Sequence, residues 1–156
     1  MPASLAQVAR RADEAVAKAR QELVTAVRRA AAKGMTQSQI ATQIGRSQPE
    51  VSRLLHFHGT SRLARRLRRN TEPIRRLLAE NDGSNPRVFG SVATGQDNDD
   101  SDIDLLFTMG TPLSLMQLEV LQYQISQIVG APVDLHPDSA LRPEIRGRIL
   151  NEAVAL

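Results

Sequence analysis

The residues of this sequence that could do chemistry gather in its second half. Asp102-Ile103-Asp104 opens an apolar run that continues to Phe107. In an extended segment residues two apart face the same side, so both carboxylates project together while Ile103 and Leu105 turn toward a core. Like charges so close need cations, and magnesium suits a ligand set made only of oxygens. Two such ions about 3.5–4 Å apart can clamp a phosphate during in-line displacement. Upstream, Val88-Phe89-Gly90-Ser91-Val92-Ala93-Thr94-Gly95 reads as a strand followed by a glycine turn. Gly90 and Ser91 offer backbone N–H groups and a hydroxyl to phosphate oxygens.

Other routes to similar chemistry are excluded. Gly95 is followed by Gln96-Asp97 rather than Lys and Ser/Thr, and no G-x-G-x-x-G occurs, so neither familiar nucleotide loop is present. A calcium loop starting at Asp97 would put Asp102 where glycine is needed and Thr108 where glutamate belongs. With no cysteine there is no disulfide, thiolate metal site or thiol nucleophile. His56, His58 and His136 form no H-E-x-x-H and no Ser-His-Asp order; His136 falls beside a short strand near the acidic residues.

A second constellation lies in the first half. Thr36 can cap a helix over 37–44, Gly45 permits a left-handed turn, and Ser47 can cap a second helix from Gln48 to about His58. Ile40, Ala41, Ile44, Val51, Leu54 and Leu55 fall on the inner faces, and Gln48, Ser52 and Arg53 on the outer one. Residues 35–55 resemble helix-turn-helix DNA-binding domains of the phage-repressor type. That resemblance implies that Gln48 and Arg53 read base edges while Arg46 and Ser47 hold phosphates. The competing reading is an amphipathic hairpin used only for packing.

The elements that must position these residues follow from the patterning. Residues 1–80 hold 16 Lys/Arg and 6 Asp/Glu, a balance of +10, whereas residues 81–156 hold 4 and 11, a balance of −7. The basic half attracts a polyanion and the acidic half repels one unless it first binds metal ions. Leu5, Val8, Ala12, Val16, Leu23, Val24 and Val27 keep a helical period that Gly34 stops near Lys33. The arginine-rich segment 61–69 reads as a linker helix with leucines at i and i+4. From Asn85-Pro86 the pattern changes to short strands at Val88-Phe89, Ile103–Phe107 and Pro132–Leu135, with helices at 114–129 and 142–153. The expected fold class is α+β: an all-α helix-turn-helix domain over 1–58, a basic linker helix over 59–71, and over 72–156 a short mixed sheet flanked by helices. No apolar run approaches the roughly 18 residues that span a bilayer, so no membrane association and a cytoplasmic location are expected.

Gly90-Ser91, ten intervening residues and Asp102-Ile103-Asp104 resemble the signature of the minimal nucleotidyltransferases of the DNA polymerase β superfamily. The likeness extends to Val133-Asp134-Leu135 and to the ending from Leu141. It implies a polymerase-β-like fold, with Asp102, Asp104 and Asp134 as catalytic metal ligands and Gly90 and Ser91 as the triphosphate grip. It further implies a two-metal magnesium site, ATP as donor, and attack by an acceptor hydroxyl on the α-phosphate. Many relatives carry arginine where this chain has Thr94.

The pairing also resembles antitoxin-like members encoded beside HEPN toxins. This implies a HEPN-type partner protein as AMP acceptor and autoregulation through the chain's own operator DNA. A single helix-turn-helix offers too few contacts for tight binding, so a homodimer on a palindromic site is expected, with the leucine and valine face of the long first helix as its contact. Two alternatives remain at this level: a transcription regulator whose transferase fold has weak or no chemistry, and a transferase acting on a small molecule or an RNA end.

Overall fold

The computed structural model describes residues 2–156, and its contacts divide the chain into an N-terminal unit ending at Leu55 and a C-terminal unit from His56 to Leu156. In the first unit, α1 (Leu5–Ala32) begins with a reciprocal cap. The Ser4 hydroxyl accepts the Gln7 N–H at 3.2 Å and Gln7 Oε1 accepts the Ser4 N–H at 2.8 Å. Thr36 and Gln39 cap α2 (Gln37–Ile44) in the same way, at 3.2 and 2.9 Å. Gly45 closes that helix at φ 66°, where a side chain would be strained, and α3 (Gln48–Leu55) follows. Val24 and Val27 of α1 join Ile40, Ala41, Val51 and Leu54 in one buried cluster, with Ile44 and Leu55 half-buried at its edge.

The third helix stops at Leu55 rather than continuing to His58. His56 instead bridges to Ala155, and the Phe57 N–H donates to the Ala155 carbonyl at 2.8 Å. Burying the Phe57 ring in the second core outweighs one more turn of helix.

The second unit starts with α4 (Arg62–Arg69), capped by the Ser61 hydroxyl, which accepts the Ala64 N–H at 3.1 Å. This arginine-rich helix is no solvated linker. It buries Leu63, Ala64 and Leu67 in the core that it shares with α5 (Thr71–Glu80). Four strands form a mixed sheet in the order β3-β2-β1-β4. β1 (Gly83–Phe89) pairs antiparallel with β2 (Ile103–Met109) and with β4 (Val154–Ala155), and β2 pairs parallel with β3 (Val133–Pro137). A parallel pair needs a crossover, here supplied by α7 (Leu115–Val129).

Alternation gives the sheet two faces. Val88, Ile103, Leu105, Phe107, Val133 and Leu135 join the core with Leu121, Ile125 and Val129 of α7. The opposite face carries Phe89 and Leu106, which form a smaller cluster with Ile149 and Ala153 at the end of α8 (Pro143–Glu152). The sheet therefore has one strand more than its sequence suggested, and β1 begins before Pro86. Asp82 and Asn85 take positive φ, 56° and 53°, and the register shifts between Ser84 and Arg87. A Gly-Ser-Asn-Pro start of that kind has loop composition. Between β1 and β2 the expected glycine turn is a short helix, α6 (Gly90–Thr94).

Because Leu67 is fully buried, Leu67→Ala should destabilise the C-terminal unit by about 2–5 kcal/mol in denaturant unfolding. A change below about 0.5 kcal/mol would instead place this helix at the surface.

Candidate active site

The carboxylates are set by strand register. Parallel pairing of β2 with β3 places Asp104 beside Asp134 and Leu106 beside His136, while antiparallel pairing puts Phe89 opposite Asp104. Asp104, Asp134 and His136 share the outward face, and one potential ligand atom from each lies within 4.8 Å of the others. The backbone crosses this cluster at Gly90. Its φ is 72°, and a side-chain carbon there would overlap a carboxylate oxygen of Asp104 and reach 3.2 Å from its Cγ. Glycine is required on both counts. Ser91, half-buried in the first turn of α6, follows directly.

Asp102 stands at the margin of this cluster. Strand β2 begins at Ile103, so the alternation expected to hold Asp102 level with Asp104 does not yet apply, and Asp102 is exposed outside the close trio. Its charge still reaches Asp104. Burial, then the negative charge of Asp134, with further contributions from Asp102 and Glu152, hold the Asp104 carboxyl above the usual carboxylate range, against an opposing effect of His136. A half-buried acid facing like charges is stabilised by a bound cation.

Neighbouring contacts fix the surroundings. The His136 ring lies against Phe89 at 5.6 Å between centroids, tilted by 59°. The acidic loop after α6 is anchored where the Ser61 hydroxyl donates to Asp97 at 2.7 Å, and the Asn98 N–H donates to Ser101 Oγ at 2.9 Å. The Thr94 hydroxyl turns back on its own helix, donating to the carbonyls of Gly90 and Ser91 at 3.2 and 3.3 Å. Farther along the same face Asp138 accepts from Arg87 at 2.8 Å and from Thr108 at 2.7 Å. Burial would raise the Asp138 carboxyl, but these hydrogen bonds and the Arg87 charge together lower it.

Sequence reasoning placed His136 near the acidic residues without giving it a role in the site, and left Glu152 out. Alternation from Asp134 was available for His136; Glu152 is brought in by tertiary packing of α8 alone.

The residues singled out in the first unit occupy the turn and α3. The Ser47 hydroxyl accepts the Glu50 N–H at 3.3 Å and donates to Glu50 Oε1 at 3.2 Å, so it serves as a helix cap. Arg46 lies 3.8 Å from Glu50, both side chains half-exposed. Gln48 accepts from Ser38 at 3.3 Å; Ser52 is half-buried and Arg53 exposed.

A mixed four-stranded sheet flanked by helices, with acidic residues beside a Gly-Ser turn, fits a polymerase-β-like nucleotidyltransferase. The chain belongs to the nucleotidyltransferase domain family, which matches residues 74–156, and it is a nucleotidyltransferase of the minimal type. A candidate protein adenylyltransferase of Methanocaldococcus jannaschii is 39% identical over 67 residues, covering 43% of this chain and 72% of that one. The protein adenylyltransferase MntA of Thermococcus cleftensis is 34% identical over 67 residues, covering 43% and 68%. Among solved structures, a candidate minimal nucleotidyltransferase superposes with a TM-score of 0.53 at 34% identity, covering 58% of this chain and 92% of its own. A toxin–antitoxin solved with AMP-PNP shares the fold, with a TM-score of 0.50 at 20% identity over 55% of this chain and 71% of its own. No helix among the described residues is long and apolar enough to cross a membrane.

The raised Asp104 carboxyl has a stability consequence. With its folded value above the unfolded one, stability falls as pH rises between the two, because the unfolded chain ionises first. In chelator, Asp104→Asn should therefore raise the thermal midpoint at neutral pH, and the gain should vanish as pH drops below the ordinary carboxylate range. A gain that persists in acid would mean that charge is not the cause.

Proposed function

We propose that this protein is a metal-dependent adenylyltransferase that transfers AMP from ATP to a hydroxyl of a partner protein, as the antitoxin of a toxin–antitoxin pair. The observation that carries the reading is the juxtaposition of Asp104 and Asp134 in parallel register beside Gly90 and Ser91. The name protein adenylyltransferase carried by both archaeal relatives supports the class of acceptor.

The donor set fits a hard divalent cation, since Asp104 and Asp134 bring carboxylate oxygens within 4.8 Å of one another. Asp104 and Asp134 would hold Mg2+, with Asp102 contributing from the margin. When bound, the two ions supply charge neutralisation on the triphosphate and on the departing pyrophosphate. The backbone N–H groups at Gly90 and Ser91, with the Ser91 hydroxyl, would grip the triphosphate. Asp134 would take the proton from the acceptor hydroxyl as its oxygen bonds to the α-phosphorus. The bond from that phosphorus to the bridging oxygen breaks, and pyrophosphate leaves with the electron pair. In this reading the acceptor is a HEPN-type toxin. ATP labelled at the α-phosphate should mark the partner with the wild-type chain and not with Asp104→Asn. An unmodified partner in the presence of the wild-type chain and Mg2+ would overturn the assignment.

The first unit is proposed to bind the protein's own operator. Its support is the +5 balance of residues 1–55, 9 Lys/Arg against 4 Asp/Glu, together with a turn at Gly45 that brings Arg46 and Gln48 to the start of α3, with the exposed Arg53 in its last turn. Arg53→Ala should cost about 1–3 kcal/mol of binding if that side chain reads a base. Binding should also weaken steeply with salt. Affinity for the upstream DNA that is flat against salt and indifferent to both Arg53→Ala and Gln48→Ala would reject this role.

A further inference from the structure

The first helix has 28 residues, yet its buried residues, Val24 and Val27, both lie in its last third. Every residue from Leu5 to Glu22 is exposed, and three of the larger apolar ones strongly so: Leu5 at 89%, Val8 at 52% and Val16 at 69%. These are not scattered. At the helical period Leu5, Val8, Ala12, Val16 and Ala19 form one stripe, continuous with Leu23, which is half-buried against the unit's own core. A solvated helix gains nothing from such a stripe, and most helical stability in proteins comes from covering one.

The flanking charges identify what covers it. Arg11 and Glu22 border the stripe on one side, and Asp13 and Arg20 on the other. Laid antiparallel on a second copy of itself, with the two-fold axis between Val16 and Ala17, the helix sets Arg11 opposite Glu22 of the second copy. The same axis sets Asp13 opposite Arg20 of the second copy. Both pairs recur by symmetry, so one register satisfies four oppositely charged contacts. That register also brings Val16 against its own symmetry mate, and Ala12 near Ala19 and Val8 near Leu23 within about half a helical turn. The alanines let the helix axes approach closely, and charges flanking an apolar seam fix its orientation.

We infer that the N-terminal two-thirds of the first helix is a homodimerisation element, pairing antiparallel with the same helix of a second copy through Leu5, Val8, Ala12, Val16 and Ala19. The inference gives the homodimer expected with the operator reading a defined antiparallel register, and it depends on neither the transferase nor the operator reading.

The full-length chain tests it by sedimentation equilibrium. Val16→Glu, at an exposed position that leaves the fold intact by circular dichroism, should raise the dimer dissociation constant by about tenfold or more. Arg11→Glu should weaken the dimer, and Arg11→Glu with Glu22→Arg should restore it, whereas Arg10→Glu on the opposite face should leave it unchanged. The chain lacks cysteine, so orientation can be read by crosslinking. A mixture of Ala12→Cys and Ala19→Cys chains should form a mixed disulfide dimer, and Ala12→Cys alone should form little. A chain that stays monomeric at its highest soluble concentration would overturn the inference. So would a dimer indifferent to Val16→Glu, or one in which Ala12→Cys crosslinks only to itself.

Discussion

Repulsion between two carboxylates held in adjacent positions is the constraint around which the C-terminal unit is arranged. Asp104 and Asp134 are neighbours because Ile103 pairs with Val133 and Leu105 with Leu135, and those four apolar side chains are buried on the opposite face. A slip of one residue in either strand would turn the carboxylates into the core and the apolar residues out. The hydrophobic core thus imposes the acidic pair, and the raised Asp104 carboxyl records its burial first and the charge of Asp134 second. Crossover helix α7 is part of the same device. Its Leu121, Ile125 and Val129 cover the apolar face, while the helix returns the chain for the parallel pairing.

Two further features depend on this pair. Gly90 must lack a side chain because its backbone passes the Asp104 carboxylate at contact distance, so the start of α6 and the acidic strand are locked to one another. On the same face the Phe89, Leu106, Ile149 and Ala153 cluster docks the end of α8 beside the acids. Glu152 is thereby brought near enough to add to the negative field at Asp104. The acidity of the site is greater than the three aspartates alone provide, which strengthens its demand for cations.

The sequence made the centre of this arrangement legible and its edges obscure. Strands β2 and β3 carry regular alternation, so Asp104 and Asp134 could be placed, and Gly90-Ser91 stood out by spacing. Asp102 was harder, because the pleat that would orient it starts one residue later. Strand β4 has two residues, too few for a period, and its pairing with β1 exists only in the fold. In α4 five arginines among eight residues masked a seam of Leu63, Ala64 and Leu67, because long charged side chains can leave from the edges of a buried face. Glu152 gave no local signal at all, since it ends helix α8 while its neighbours in the site lie in β2 and β3.

The positive first unit, +5 over residues 1–55, and the acidic cluster of the second set opposite requirements for the two proposed activities. Binding to DNA releases cations condensed on its phosphates, so every added cation, and divalent magnesium most of all, weakens it. Nucleotide binding at the acidic cluster needs the same cation to enter before the triphosphate can approach. The face bearing Asp104, Asp134 and Glu152 repels a polyanion, whereas the net positive charge of residues 1–55 attracts one. Free magnesium therefore acts on both functions with opposite sign. In the proposed functions, the separation of charge would keep the phosphates of the operator from competing with those of the nucleotide.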